Sequence, residues 1–371
     1  MKKVFSIAMA AAMMLSLAAC GGSSQPAATT AAPATTAAPA ATEAAAPAET
    51  EAAAETEAAA ETEAAAPAGD VITMKLANPN PVGDVKDLAS IRFSELAKEY
   101  TNGRVNIEVY SGGTLGDARE TLEGLSLGTN EIVCESIGTM SPFTNLANFD
   151  AVPYMYRDYE HYKAAFLDGE LGEEVKEAVG EDGGFKILGG MYRGARVCTT
   201  KKKFTTPEEL KACGLKIRVP SQQIYIDTWQ VMGANPTPLA LNETFTALQQ
   251  NTVEAQENAT IESYGFGFYD VCPYLVKTNH VYSTDVFIFD RNYFNNLDAD
   301  IQEALIKAAK EASDYRSEMS LNMEGEFEEK FKEKGVEIVE IDTAPFIALF
   351  DGFLDEYYPE FADWAAKVAE Y

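Results

Sequence analysis

The chain has 371 residues and is strongly acidic, with 58 Asp and Glu against 29 Lys and Arg and a formal net charge of −29. This charge argues against a nucleic-acid partner, because no net positive field recruits phosphates. There are 2 histidines, too few for His-rich metal sites and most triad chemistry. Hydrophobic residues make up 46%, which is enough for a core, and the length allows one large or two ordinary domains.

Residues 1–19 have the pattern of a secretory signal peptide. Lys2 and Lys3 precede an apolar run that ends in small residues directly before Cys20. The run is too short and wrongly flanked for a lasting transmembrane helix. Small residues before a cysteine resemble a bacterial lipobox, which predicts cleavage before Cys20 and lipidation of its thiol. An ordinary signal peptide with a chance cysteine is the alternative.

A low-complexity segment follows, over residues 20–70. It is nearly all Ala, Thr, Glu, Pro, Gly and Ser, and the unit Glu-Thr-Glu-Ala-Ala-Ala begins at Glu49, Glu55 and Glu61. Without large apolar side chains this segment cannot form a core. We predict a disordered, acidic tether that joins a lipid anchor on Cys20, at the outer face of the cell membrane or in the periplasm, to a folded body.

The body alternates strand and helix patterns. Strands are predicted at residues 71–76, 104–110, 131–134, 185–188, 215–219, 281–290 and 336–341. Helices are predicted at residues 84–100, 117–127, 160–180, 207–211, 222–232, 242–250, 298–334 and 345–370. This order predicts an α/β fold with mainly parallel sheets covered on both faces. About 300 residues exceed one core, so we expect two lobes, a ligand cleft between them, and a helix 298–334 that spans both.

Motifs for catalysis are missing from the sequence. It contains no G-x-S-x-G, H-E-x-x-H or Walker loop, so we predict neither an enzyme nor a cofactor or metal site. Residues 111–116 follow a strand but lack the spacing of a phosphate loop and are interpreted as a turn. His161 and His280 are interpreted as structural. The body cysteines form no C-x-x-C; free thiols are predicted, with Cys198–Cys213 as the alternative bridge.

Arg218 stands between two apolar strand residues, Ile217 and Val219. Side chains alternate along a strand, so Arg218 faces away from the core if its neighbours face it. An arginine in that position either pairs with a nearby acid or offers its guanidinium to an anion. The strand pattern leaves both interpretations open.

Taken with Arg218, several ordered segments strongly resemble the DctP-type solute-binding subunits of tripartite ATP-independent periplasmic (TRAP) transporters. The segments that carry the resemblance are residues 115–120 (Leu-Gly-Asp-Ala-Arg-Glu), 153–158, 232–239, 242–250, 253–258 and 278–282. The resemblance implies a two-lobed clamshell like that of periplasmic binding proteins, with mixed, mainly parallel sheets and a long helix across both lobes. Lobe I is predicted over 71–195 and 284–325, and lobe II over 196–283 and 326–371.

The family also implies a function. The protein is expected to be an extracytoplasmic receptor that captures a small organic acid, such as a C4-dicarboxylate or a sugar acid. It would pass this acid to an ion-gradient-driven TRAP membrane permease, and is expected to act as a monomer. The alternative is a ligand-binding lipoprotein that serves a sensor system.

The resemblance assigns ligand contacts residue by residue. Arg218 is expected to take the ligand carboxylate through two hydrogen bonds, with Asn258 holding the same group. Arg196 matches the second arginine of the family, if two extra residues are allowed near Ala212. A further group is expected to reach polar parts of the ligand from lobe I: Glu135, Asp117 and, from the end of the first strand, Asn78 or alternatively Asn80.

Alternatives remain open for most of these residues. Arg196 could pair with Glu208 or Glu209, Asp117 could be a helix N-cap, Glu135 could pair with a lysine, and Asn258 could be a turn amide. Leu241 replaces an aromatic residue of the family, which argues against a sialic-acid-like ligand. Four aromatic residues could supply apolar walls instead, and a core position is the equal alternative for each: Tyr192, Tyr225, Tyr264 and Phe266.

Overall fold

A computed structural model of the protein describes residues 70–371. The predicted signal peptide, Cys20 and the tether up to residue 69 lie outside the described residues.

Within residues 70–371 the chain forms ten strands and thirteen α-helices. The strands are β1 Ile72–Ala77, β2 Val105–Tyr110, β3 Ile132–Ser136, β4 Phe185–Thr200, β5 Lys216–Val219, β6 Asn235–Pro238, β7 Ala255–Ala259, β8 Tyr274–Val276, β9 Tyr282–Asp290 and β10 Glu337–Val339. The helices are α1 Val85–Tyr100, α2 Ala118–Leu127, α3 Tyr159–Tyr162, α4 Glu170–Gly183, α5 Pro207–Cys213, α6 Gln223–Val231, α7 Thr244–Gln249, α8 Thr260–Gly265, α9 Arg291–Asn295, α10 Ala299–Glu333, α11 Ala344–Ile347, α12 Phe353–Tyr357 and α13 Ala362–Val368. A π-helix, Lys163–Leu167, follows α3.

The strands form two sheets that share β4. The first sheet has the order β2-β1-β3-β9-β4, and the second continues β4-β7-β5-β6 with β8 on β4 and β10 on β8. The pairs β1–β2, β1–β3, β5–β6, β5–β7 and β8–β10 are parallel, while each pair that includes β4 or β9 is antiparallel. The predicted mixed, mainly parallel α/β fold is confirmed.

β4 passes from one sheet to the other. Its residues up to Ala195 pair with β9, and its residues from Arg196 pair with β7 and β8. The register with β9 shifts twice, between Leu188 and Met191 and between Tyr192 and Ala195. The sequence predicted only 185–188 as strand, because glycines and these two irregularities hide the alternation of side chains.

The helix α10 is the long helix that the sequence predicts. Its 35 residues extend over roughly 52 Å at 1.5 Å per residue. Near its middle, Arg316 pairs with Glu262 of α8, and further along Phe331 packs beside Leu275 of β8. Earlier in the helix, Glu311 accepts a hydrogen bond from Tyr100 of α1. The helix therefore contacts elements on both sheets, as predicted.

The carboxyl-terminal segment differs from the prediction of one helix over 345–370. It is divided among α11, α12 and α13, because Gly352 adopts a positive φ of 74° and Pro359 cannot continue a helix. Phe361 packs edge-on against Phe149, with ring centroids 5.5 Å apart, and Lys367 pairs with Glu174. The segment assigned wholly to lobe II therefore also packs against residues assigned to lobe I.

Apolar clusters cover the faces of the sheets, so the polar loops lie at the ends of the strands. One cluster places Met74, Phe93, Phe287 and Leu305 between the first sheet and the helices α1 and α10. At the carboxyl ends of β1, β2, β3, β5 and β6, loops with polar side chains converge on one space. Such an edge is the usual ligand position in open α/β sheets.

Candidate functional site

A cavity of about 520 Å³ lies at this edge, lined by residues of both sheets. Five of the six predicted ligand residues of the body line it: Arg218, Asn258, Arg196, Glu135 and Asp117. Uncharged polar side chains around them include Ser136, Thr139, Ser141, Asn148, Gln222 and Asn242. The volume suits a small organic molecule, at the lower end of the range for ligand pockets.

Arg218 lies on β5 with its guanidinium in the cavity wall. Ile217 and Val219 are fully buried, so alternation turns Arg218 toward the cavity, as the strand pattern predicts. Its Nε donates to Leu239 O at 2.9 Å. Within residues 70–371, no carboxylate lies within 4.0 Å of the Arg218 guanidinium, although the side chain is only 4% exposed. Burial lowers the pKa of Arg218 to about 10, which still leaves it positive at neutral pH.

Arg196 is an ion-pair partner of Glu257, the neighbouring residue to Asn258 on β7. The Arg196 Nη2–Glu257 Oε1 distance is 2.7 Å, and Nη2 also donates to the Glu257 carbonyl at 2.9 Å. The guanidinium stacks over Tyr225, 4.9 Å from the ring centroid. Neither Glu208 nor Glu209 is its partner in the described structure, because sheet register brings Glu257 close from 61 residues away.

His280 completes this buried group. Its Nε2 lies 3.2 Å from Glu257 Oε2 and its Nδ1 lies 2.9 Å from Thr278 Oγ1. A carboxylate only accepts hydrogen bonds, so Nε2 carries the proton. Burial lowers the pKa of His280, which favours the neutral ring. Burial opposes ionisation of Glu257, but Arg196 and His280 outweigh it and hold the pKa of Glu257 at about 2.

Glu135, on β3, pairs with a lysine, which was the open alternative for this residue. Its Oε2 lies 3.2 Å from Lys86 Nζ and accepts from the Ser136 backbone N–H at 2.9 Å. Lys86 also lies 3.4 Å from Asp285 of β9. Because Glu135 nevertheless lines the cavity, its pairing with Lys86 leaves carboxylate lone pairs available to a ligand hydroxyl.

Asp117 is both an N-cap and a cavity residue. Its side chain accepts from the Glu120 N–H, and Glu120 in turn accepts from the Asp117 N–H at 2.9 Å, a capping box at the start of α2.

Asn78 does not line the cavity but lies behind its wall. Its amide donates to Ser111 Oγ at 3.4 Å and its oxygen accepts from Asn80 N at 3.0 Å. Asn78 therefore shapes the loop that carries Pro79, a cavity residue.

Arg193 is a cavity residue that the sequence analysis did not identify. Its Nη2 donates to Asn258 Oδ1 at 3.0 Å, and its Nε lies 3.2 Å from Glu262 and 3.5 Å from Asp285. Arg316 of α10 shares both carboxylates, at 3.0 Å each. The Gly-x-Arg segment pointed to Arg196 alone, and no periodicity signal marks Arg193.

Among residues 70–371, the ion pairs leave one cation of the buried cavity wall without a carboxylate partner. Three cations, Lys86, Arg193 and Arg316, contact three carboxylates, Glu135, Asp285 and Glu262. Arg196 is neutralised by Glu257. Arg119 also lines the cavity, but it is 71% exposed and pairs with Glu123. The excess positive charge of the buried wall therefore resides on Arg218.

Apolar walls complete the cavity. Tyr225, Phe266 and Leu241 line it, whereas Tyr192 packs on Tyr159 and Tyr264 packs on Tyr269 away from it. Two of the four aromatic candidates are therefore wall residues, whereas Tyr192 is buried in the core and Tyr264 is partly buried against another apolar cluster.

All four cysteines from Cys134 onward are free thiols, so the alternative Cys198–Cys213 bridge is not formed. No helix in the part of the chain that the structure describes is long and apolar enough to cross a membrane.

Comparison with known proteins places the chain in a family. Residues 76–363 match DctP, the bacterial extracellular solute-binding proteins of family 7. A solute-binding protein of Roseobacter denitrificans is 33% identical over 279 residues, which cover 75% of this chain and 84% of that protein.

Solved structures agree in fold. A TRAP periplasmic solute-binding protein from Roseobacter denitrificans with bound L-galactonate is 29% identical and has a TM-score of 0.75, covering 81% of this chain and 99% of that one. A second, from Pseudomonas putida F1 with bound D-glucuronate, is 26% identical with a TM-score of 0.77, covering 81% and 97%. Members of this class are receptors that bind small organic acids outside the cytoplasm and work with membrane permease subunits. The chain therefore belongs to the DctP family of extracellular solute-binding proteins, as a receptor of the TRAP transporter class.

Proposed function

We propose that the protein captures an organic acid with one carboxylate and several hydroxyl groups, of the sugar-acid type, and that Arg218 binds the carboxylate. The observation that carries this proposal is a buried guanidinium in the cavity wall with no carboxylate partner within residues 70–371. A buried cation without a partner is costly. An arginine meets a carboxylate through two parallel N–H bonds, so a ligand carboxylate would supply the missing partner.

The other predicted residues have roles consistent with their contacts. Asn258 would donate to the same carboxylate, and Arg196 would hold Asn258 and the cavity wall in place. Glu135 and Asp117 accept hydrogen bonds and so would meet ligand hydroxyls. Asn78 would act indirectly, by fixing the loop that carries Pro79.

The charge pattern favours one ligand carboxylate over two. Besides its arginines, the charged groups that line the cavity are the acids Glu135 and Asp117. A second ligand carboxylate would meet these acids or the already neutralised Arg193 and Arg196. Hydroxyl groups would find hydrogen-bond partners in the same region. The bound L-galactonate and D-glucuronate of the two similar structures have this combination of one carboxylate and hydroxyls.

The strand β4 and the helix α10 join the two sheets, which supports capture of the ligand between two lobes. We take the two sheets as the lobes of a clamshell, with boundaries near 195/196, where β4 passes from the first sheet to the second, and near 283/284, close to the start of β9. A ligand that contacts both sheets would favour the closed arrangement by its additional contacts there. Exclusion of water on closure would strengthen the arginine–carboxylate pair.

A thermal-shift panel tests the substrate class. D-glucuronate, L-galactonate, succinate and the neutral alditol galactitol would be added to the protein at the same concentration. At one hundred times Kd, a ligand adds about 2.7 kcal/mol to the unfolding free energy. We expect a rise in Tm of about 4 °C for at least one sugar acid, and little change with galactitol. Stabilisation by succinate alone would contradict the single-carboxylate proposal.

We further propose that Cys20 is lipidated and anchors the receptor, as a monomer, near its permease, with residues 21–70 as the tether. The support is the pattern of small residues before Cys20. The test is the variant Cys20→Ser, compared with the unchanged protein by detergent partitioning and intact mass. We expect the acyl chains to be absent from the variant and the protein to leave the membrane fraction. Equal membrane retention of both proteins would contradict the anchor.

A further inference from the structure

We propose that Arg193 is a positioning residue that sets the orientation of the Asn258 amide, so that its two N–H groups face the ligand carboxylate. The inference rests on the proposed function, because it concerns how the same cavity holds the acid. It assigns a role in recognition to a residue that was found only through the contacts of the folded chain.

The Asn258 side-chain oxygen is surrounded by donors. It accepts from Arg193 Nη2 at 3.0 Å, from Arg196 Nη1 at 3.1 Å and from the backbone N–H of Ala259 at 3.0 Å. A guanidinium has donors and no acceptor. If the amide were flipped, its NH₂ group would face three donors. The atom between the two arginines must therefore be the oxygen, which turns Nδ2 the other way.

Nδ2 of Asn258 then points away from the two arginines. Asn258 itself lines the cavity. Within residues 70–371, Asn258 Nδ2 has no hydrogen-bond partner. Arg218, the unpaired cation, lines the same cavity. Asn258 therefore offers donors in the space where the ligand carboxylate would lie against Arg218.

A β-bulge brings Arg193 to this position. Residues three apart on a regular strand face opposite sides of the sheet, so Arg193 and Arg196 would not meet the same atom. The register of β4 with β9 shifts between Tyr192 and Ala195, and Gly194 has a φ of +103°. The extra residue of the bulge changes the alternation. Both guanidinium groups consequently reach Asn258 Oδ1.

Two buried carboxylates hold Arg193 in place. Glu262, which follows β7, lies 3.2 Å from its Nε, and Asp285 of β9 lies 3.5 Å away. Arg316 contacts the same two carboxylates at 3.0 Å each, but in the described chain it donates no hydrogen bond to Asn258. Arg316 is thus a matched control: it shares the ion-pair partners of Arg193 but not its bond to the amide.

The test is a double-mutant cycle on binding, with D-glucuronate and L-galactonate as probes in isothermal titration calorimetry. Arg193→Lys keeps a charge for Glu262 but removes the donor to Asn258. We expect it to weaken binding about tenfold when Asn258 is present and less than twofold in the Asn258→Ala background, since contacting residues couple. Arg316→Lys should lower Tm by about as much as Arg193→Lys does, but it should change the affinity less than twofold.

Equal losses from Arg193→Lys in both backgrounds, or no loss in either, would overturn the inference while the proposed function stands. An unchanged protein that binds no acid of the panel overturns both. If Arg193→Lys does not fold, ¹⁵N NMR of the unchanged protein tests whether the Asn258 NH₂ group faces the ligand. The Asn258 side-chain NH₂ signals, assigned by their loss in Asn258→Ala, should shift when the acid is added; signals that do not shift overturn the inference.

Discussion

Arg196 and Glu257 form a two-point ion pair in the cavity wall, with Nη2–Oε1 and Nε–Oε2 distances of 2.7 and 2.5 Å. Both side chains are buried, and the pair neutralises itself before any ligand arrives. Arg218 lines the same cavity without an ion pair in the described chain. The two arginines therefore have different roles toward an acid. Arg196 holds the cavity wall in place, and Arg218 provides a positive charge that no carboxylate of the described chain neutralises.

Replacement of Arg218 should impair binding more than folding. Arg218→Ala is expected to lower affinity for the captured acid at least ~30-fold, about 2 kcal/mol, because it removes the charge partner of the carboxylate. Arg218→Lys should also weaken binding, since an ammonium cannot reproduce the planar two-point contact. Isothermal titration calorimetry measures both.

The control for Arg218 is Arg119→Gln. Arg119 also lines the cavity, but it is exposed and pairs with Glu123 one helical turn away. Its loss should change affinity less than ~3-fold, as an exposed pair contributes little. A folded Arg218→Ala protein with unchanged affinity would refute the assignment of Arg218.

Glu257 should stabilise the fold through its ion pair with Arg196. Glu257→Gln leaves a buried cation unpaired and should lower the unfolding free energy by about 3 kcal/mol, measured by urea denaturation at pH 7. The control is Glu208→Gln, since Glu208 is exposed and contributes no ion pair to Arg196. A comparable loss in both variants would contradict the Arg196–Glu257 assignment.

The same pair predicts a pH dependence. Arg196 and His280 outweigh the cost of burial and hold the folded-state pKa of Glu257 at about 2, below its ordinary 4.5. A lowered carboxyl pKa stabilises the fold above pH 4.5, and this contribution is lost as the pH falls from 4.5 toward 2. The stability difference between the unchanged protein and Glu257→Gln should therefore shrink over that window. A difference that is constant with pH would contradict this prediction.

The pKa of Asp150 is shifted in the opposite direction to that of Glu257, so Asp150 should make the fold less stable as the pH rises. Burial outweighs the hydrogen bonds from the backbone N–H groups of Thr284 and Gly138 and raises the pKa of Asp150 from 3.8 to about 7. The folded state therefore keeps this proton over a range in which the unfolded state has lost it. Stability should fall as pH rises from about 4 to 7, and Asp150 contributes no further change above 7.

Comparison with Asp150→Asn isolates this effect from other titrating groups such as His280. The amide mimics the protonated acid, so the variant should gain stability relative to the unchanged protein between pH 4 and 7, by up to about 4 kcal/mol. Urea denaturation at pH 5, 6, 7 and 8 measures the difference. An equal difference at pH 5 and pH 8 would show that Asp150 does not titrate as described.

Gly194 should be required for the bulge that places Arg193 and Arg196. Its φ is +103°, and an added Cβ would lie 3.4 Å from Ala259 Cβ. Gly194→Ala should cost roughly 1–3 kcal/mol of stability and weaken binding, as judged by Tm and calorimetry. The control is Gly325→Ala in α10, where an added Cβ meets nothing within 4 Å and better helix propensity predicts a slight stabilisation. Equal effects at both glycines would refute the role of the bulge.

Local patterns in the sequence predicted most of the regular structure. Alternation identified β9, helical periodicity identified α10, and alternation around Arg218 correctly turned its side chain away from Ile217 and Val219. The same reasoning missed most of β4, because its glycines and register shifts break the period of two. It also predicted one carboxyl-terminal helix where Gly352 and Pro359 divide the segment.

The sequence by itself determined the α/β class, the acidic character of the chain, the family resemblance and the direction of Arg218. Tertiary structure decided which charges meet. Glu257 rather than Glu208 neutralises Arg196 because antiparallel register sets Cys198 of β4 opposite Glu257 of β7, and a bulge turns Arg193 toward Asn258. Such contacts join residues more than sixty positions apart. Local periodicity carries no information about them, because they depend on strand register and on the packing of separate elements.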